Sequence, residues 1–213
     1  MSRSFLKLIL SVFMVAAIAT ASFAQDEANM ARPNTKAGSA AWIFEFGGLA
    51  SLGMNGLSIA GTTAPAAGWK WYFSDDMALR ALLGFSTTSK GDKDSVGGKH
   101  SSTGFGIAVG VEMHTHPVYS TSPYFGAQIS FGQGSSSTTV KTIESKTSSS
   151  VFGVGVVAGF DWYFTRGIAV GGEYMLGFSA ASSSTTEDSS TSSNPSETTI
   201  GISSASVHLI VHF

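Results

Sequence analysis

The chain has 213 residues, 43% of them apolar and only 12% charged, with 25 glycines and no cysteine. A soluble domain carries about a quarter charged residues, so water is a poor match for a surface this bare. Without cysteine there is no disulfide, no thiolate metal site and no thiol nucleophile, and a formal charge of −2 gives nucleic acid no basic footprint.

Residues 1–24 place Arg3 and Lys7 before the apolar run Leu8 to Ala21 and end in Ser22-Phe23-Ala24. Basic start, apolar middle and small residues before a cut are the order of a secretory leader, and the run falls short of the roughly 20 residues a membrane-spanning helix needs. Removing Arg3 and Lys7 leaves ten basic against fourteen acidic side chains, a net charge of −4. Residues 25–39, with Pro33 and few apolar side chains, read as a flexible periplasmic extension. Residues 40–213 read as one domain. No later stretch is apolar enough for a spanning helix, so any membrane crossing must be made by strands.

From Trp42 onward apolar residues recur at every second position, the period of a strand with one apolar face. In chain order the segments are marked by Trp42, Phe44 and Phe46; by Trp69, Trp71 and Phe73; by Met77 to Phe85; by Phe105 to Met113; by Phe125 to Phe131; by Phe152 to Phe164; by Ile168 to Phe178; and by Ala205 to Phe213. The intervening positions hold glycine, Ser and Gln, and also every charge within the segments: Glu45, Lys70, Arg80, Glu112, Asp161 and Glu173. The registers rest on aromatics alone, so the placement of the charges is a separate indication that two chemically distinct faces run along the chain.

Connectors alternate between short and long. Ser74-Asp75-Asp76 and Thr165-Arg166-Gly167 are tight, and Thr115 to Ser122, with Pro117, is a little longer; Asn55-Gly56 suits a two-residue hairpin turn. Residues 89–101, 134–149 and 180–198 are long, polar and rich in Ser and Thr, and read as surface loops. The pattern implies an all-β, eight-stranded antiparallel up-and-down barrel.

Alternation does not say whether the apolar face looks inward or outward. Aromatics at both strand ends favour outward: Phe73, Trp162, Phe164 and Phe213 lie beside the short turns, and Phe85, Phe105, Phe131, Phe152 and Phe178 beside the long connectors, with Trp42, Trp69 and Trp71 on the first hairpin. The 8 to 12 residues between these bands rise roughly 20 to 30 Å at about 3.3 Å per residue and a tilt near 40°, the height of an apolar belt between two aromatic girdles. The small residues of the other face suit the crowded interior of an eight-stranded barrel.

Three stretches carry a family resemblance: Trp69-Lys70-Trp71-Tyr72-Phe73-Ser74-Asp75-Asp76-Met77-Ala78-Leu79-Arg80, Pro123-Tyr124-Phe125-Gly126-Ala127 and Asp161-Trp162-Tyr163-Phe164-Thr165-Arg166. With the alternating end Val207, Leu209, Val211 and Phe213, the chain resembles the small OmpA/OmpX-type outer-membrane barrel domains over residues 40–213. The resemblance implies a transmembrane barrel in the bacterial outer membrane, in contact with its lipid and lipopolysaccharide. It also implies delivery by periplasmic chaperones to an assembly machinery that reads Val207, Leu209, Val211 and Phe213. It is silent about activity. Pro65 departs from the pattern, because it cannot donate to a ladder; it marks a bulge or the true start of its strand.

If Phe73 and Met77 flank the first turn, Lys70 stands opposite Arg80. Two facing cations repel, so Glu45, Glu112, Asp161 and Glu173 are needed near them in an inward ion-pair network. The plain reading of that network is a plug; the sharper one is a narrow path for water and ions, as in a small porin-like channel. His114 with His116, and His208 with His212, share spacing with metal-binding pairs, yet an inner-wall or rim position accounts for them without a metal. His100 beside Ser101 and Ser102, with Asp94 nearby, is the only outer-side group resembling a lipid A-modifying enzyme site, and serine is abundant enough there to place it by accident. The sequence therefore points to a non-enzymatic envelope protein with no cofactor or metal, structural or adhesive in role, displaying residues 89–101, 134–149 and 180–198 to a host or surface ligand.

Overall fold

The computed structural model describes residues 35–46, 58–59, 62–63, 65–91, 98–140, 143–187, 190–193 and 195–213. The expected leader, residues 25–34 of the extension, the Asn55-Gly56 turn and Asp94 lie outside the described residues. The described strands are β1 (Ala40–Phe46), β2 (Ser58–Ile59), β3 (Thr62–Thr63), β4 (Ala66–Tyr72), β5 (Met77–Gly91), β6 (Lys99–His114), β7 (Thr121–Val140), β8 (Ile143–Thr165), β9 (Ile168–Glu187), β10 (Ser190–Ser193) and β11 (Glu197–His212).

Eight of these form a ring. The order β1, β4, β5, β6, β7, β8, β9, β11 is antiparallel at each step, and β11 pairs back onto β1 from Ala41 with His212 to Phe46 with Val207. Among the described residues β2 and β3 pair only with each other, and β10 pairs with the far end of β9.

The alternation in sequence is an alternation in burial. Along β6 exposed and buried residues follow one another without a break from Thr103 to His114. Lys70 pairs with Arg80, so the hairpin of β4 and β5 has the register that its three-residue turn implies, and Trp42 pairs with Trp69 between β1 and β4. Pro65 stands just before β4, whose first pair with β1 is Ala66 with Glu45. The proline thus marks the start of the strand, where its missing N–H costs no ladder bond.

Two expectations need correcting. Of the described residues in 89–101, 134–149 and 180–198, most are strand rather than loop: β5 continues to Gly91, β6 begins at Lys99, β7 reaches Val140, β8 begins at Ile143, and β9 reaches Glu187. Serine and threonine hide the period of two, because both faces become polar, yet cross-strand hydroxyl pairs hold the extension together. Ser101 Oγ lies 2.8 Å from Ser137 Oγ, Thr103 Oγ1 3.1 Å from Ser135 Oγ, and Ser150 Oγ 2.9 Å from Ser182 Oγ. The second correction concerns the inward face, which is not only glycine and polar groups. Ile43, Leu82, Ile210 and Tyr163 are buried there with Ala41, Ala66, Ala108 and Ala169.

Glycine is required where strands and side chains crowd the interior. A Cβ on Gly126 would overlap the Val111 carbonyl oxygen, and one on Gly171 would overlap His208 Nε2. Before β1 the chain is tied to the first turn: Gly38 N donates to Tyr72 O at 2.7 Å and Ala37 N to Asp75 Oδ1 at 2.9 Å.

Candidate functional site

The inward positions of β4, β5, β6, β8 and β9 converge on one buried cluster. Lys70, Glu112 and Asp161 are fully buried, and Arg80 is 2% exposed. Lys70 Nζ on β4 lies 2.6 Å from Glu112 Oε2 and 2.8 Å from Asp161 Oδ2, the latter on β8 across the ring. Arg80 on β5 makes a fork to Glu173 on β9, with Nη2 2.8 Å from Oε1 and Nη1 paired to Oε2. Its Nη1 also lies 3.1 Å from Glu112 Oε1. Ring order puts β4 opposite β8 and β5 opposite β9, so each cation spans the interior. Glu112 holds both cations and relieves the repulsion that facing Lys70 and Arg80 would otherwise bring.

A second layer fixes the first. Tyr124 O–H donates to Glu173 Oε2 at 2.8 Å, Gln128 Oε1 accepts from Arg80 Nη2, and His208 Nε2 lies 2.9 Å from Asp161 Oδ1. The Lys70 ammonium sits 4.9 Å from the Tyr124 ring centroid and 5.6 Å from that of Tyr72, cation–π distances. Glu45 is buried on the same face but forms no ion pair within 4 Å among the described residues; the Ser206 hydroxyl bonds to it. Of the six charges, five are thus joined directly and Glu45 stands beside them.

The aromatics and histidines fall as follows. Trp42, Trp69, Trp71, Phe73, Phe85, Phe105, Phe131, Phe152, Phe164 and Phe178 are exposed on the outward face, whereas Trp162 is half-buried. Phe85 pairs with Phe105 and Phe131 with Phe152, so outward aromatics meet across strands. Val207, Leu209 and Val211 share the outward face of β11 at partial burial, and Phe213 is exposed beside Trp42, ring centroids 6.2 Å apart. His114 and His116 do not share a strand face: β6 ends at His114, which is buried, while His116 is exposed. His212 Nε2 lies 3.0 Å from Tyr163 O–H, and His100 Nδ1 3.0 Å from Thr138 Oγ1, an ordinary cross-strand contact.

His114 belongs to the interior in a way its spacing alone does not announce. Its Nδ1 lies 2.8 Å from Ser122 Oγ and its Nε2 3.2 Å from Glu112 Oε2. Serine, histidine and carboxylate in series have the connectivity of a nucleophilic triad. Ser122 is 0% exposed, however, so no substrate carbonyl reaches its Oγ, and the series acts as a hydrogen-bond brace. The inner members that hydropathy passes over, Tyr72, His114, Tyr124 and Tyr163, each lie two residues from an inward charge or glycine. Parity was the signal that could have found them.

No protein-family model matches the chain, and no curated protein matches it.

Proposed function

We propose that this chain is an integral β-barrel of the bacterial outer membrane with a structural and surface-interaction role, its interior a packed brace rather than a pore. The observation that carries this reading is the pair of buried contacts across the ring, Lys70 with Asp161 and Arg80 with Glu173. Four side chains from opposite walls occupy the space a solute would need, at zero or near-zero exposure. Buried ions are tolerated only when paired and hydrogen-bonded, and these are.

The outward face supports the membrane part of the reading. Leu83, Val109, Ile129, Val154 and Leu176 are 37 to 55% exposed, an apolar belt that water disfavours and acyl chains accept. The leader-like residues 1–24 fit export, and Val207, Leu209, Val211 and Phe213 serve as the assembly signal. Partners are the outer-membrane lipid and lipopolysaccharide, periplasmic chaperones and the assembly machinery. Residues 89–101, 134–149 and 180–198 are the adhesive part.

Conductance of the refolded chain in planar bilayers tests the brace. No discrete steps are expected at 1 M salt. Steady channel openings that persist at low protein density would overturn the brace and restore the porin-like alternative.

A further inference from the structure

Past the aromatic rows the outward face changes chemistry within a single step. Phe85 faces Phe105, and the next outward row reads Thr87, Thr103, Ser135, Ser148, Ser184 and Ser193, one hydroxyl from each strand from β5 to β10. Strands lie about 4.8 Å apart and outward residues repeat about every 6.8 Å, so the hydroxyls form a regular two-dimensional array.

This face is concave. A cavity of about 680 Å³ opens on it, and Phe85, Thr103, Phe105, Gln133, Ser135 and Ser148 are among its walls. That volume is in the range of about 300 to 1,000 Å³ typical of small-molecule sites. Phe85 is 64% exposed and Phe105 48%, so two apolar side chains stand at one end. No Lys, Arg, Asp or Glu lines the cavity among the described residues; charge enters only farther along, where Glu144 and Lys146 border a smaller hollow of about 170 Å³.

The ligand chemistry follows from these walls. A hydroxyl has one proton and two lone pairs, so the contact between Thr103 and Ser135 leaves each pair further capacity to donate and accept. The Gln133 amide adds two donors and an acceptor. Exposed phenyl faces suit C–H surfaces, and the lack of charge disfavours phosphates and amines. A molecule with a C–H face and a rim of hydroxyls is a sugar ring. We propose that this groove binds a neutral saccharide, carried as the headgroup of a glycolipid in the outer leaflet. The lipid source is chosen because the groove continues the outward apolar face: Leu83, Ile107, Phe131 and Phe152 form the row just before it, so acyl chains on that row place their headgroup at the groove. The inference rests on the membrane reading above.

The test is native mass spectrometry of the refolded mature chain, released from micelles that contain equal amounts of a diglucosyl diacylglycerol and a phosphatidylcholine with the same acyl chains. The glycolipid is expected to be retained at least about tenfold over the phosphatidylcholine. Thr103→Val with Ser135→Ala should abolish that preference, and Ser148→Ala alone should reduce it, in chains whose heat-modifiable gel shift shows them folded. Equal retention of the two lipids by the folded wild type would overturn the saccharide groove and leave the membrane reading standing. Free glucosyl disaccharide held as well as the glycolipid would overturn the lipid source. A chain that stays folded and monomeric with no lipid or detergent would overturn the membrane reading itself.

Discussion

Lys70 and Asp161 stand on opposite walls of the ring, four strands apart, and meet at 2.8 Å. Arg80 and Glu173 repeat the arrangement one strand on, so the two contacts brace the interior along neighbouring diameters. Glu112, between them, touches both cations. Cross-bracing of this kind makes the stability of distant strands depend on single side chains.

Replacing Lys70 with methionine removes the positive partner of two buried carboxylates, and a buried pair broken on one side costs about 3 to 5 kcal/mol. Lys70→Met is therefore expected to lower stability by that amount in urea unfolding of the refolded protein. The double variant Lys70→Met with Asp161→Leu should cost less than the two single changes added together, because no carboxylate on β8 is then left without its cation.

Ile129 lies on the outward face between Val109 and Val154 and is 55% exposed. In a bilayer an arginine near the middle of the belt costs about 2 to 4 kcal/mol. Ile129→Arg should lose that much when folded into liposomes. A loss within about 0.5 kcal/mol, the usual effect of a change on a watery surface, would argue that this face does not meet lipid.

Gly171 and Gly167 flank the same stretch of β9 with opposite expectations. A Cβ on Gly171 would overlap His208 Nε2 and lie 2.7 Å from Asp161 Oδ1 and 2.6 Å from the Phe160 carbonyl oxygen, whereas one on Gly167 would meet nothing closer than 3.8 Å. Gly171→Ala should destabilise by about 1 to 3 kcal/mol through overpacking. Gly167→Ala should stay within about 0.5 kcal/mol in the same unfolding assay.

Ser122→Ala removes the partner of His114 Nδ1 and leaves a buried ring nitrogen unsatisfied. The expected cost is about 1 to 3 kcal/mol of stability. The lipid A of cells overproducing the wild type should match that of cells overproducing the variant; a modification present only with the wild type would turn the brace into a catalytic site.

The sequence alone determined which side chains share a face, because a strand's period of two is a local property of the backbone. It put Lys70, Arg80, Glu112, Asp161 and Glu173 on one side and the tryptophans and phenylalanines on the other, and the short first turn set Lys70 against Arg80. It failed where the alphabet became uniformly polar, since Ser and Thr on both faces erase the contrast that reveals a strand; hence residues 134–140 and 143–149 read as loop and fold as parts of β7 and β8. It also passed over Ile43, Leu82 and Ile210, because an apolar residue on the inner face looks like noise until the ring closes around it. Only the tertiary structure decided which charge meets which. Partners across a ring are separated by 91 residues for Lys70 and Asp161 and by 93 for Arg80 and Glu173, and their meeting depends on the closure of β11 onto β1, a long-range event that no local pattern encodes.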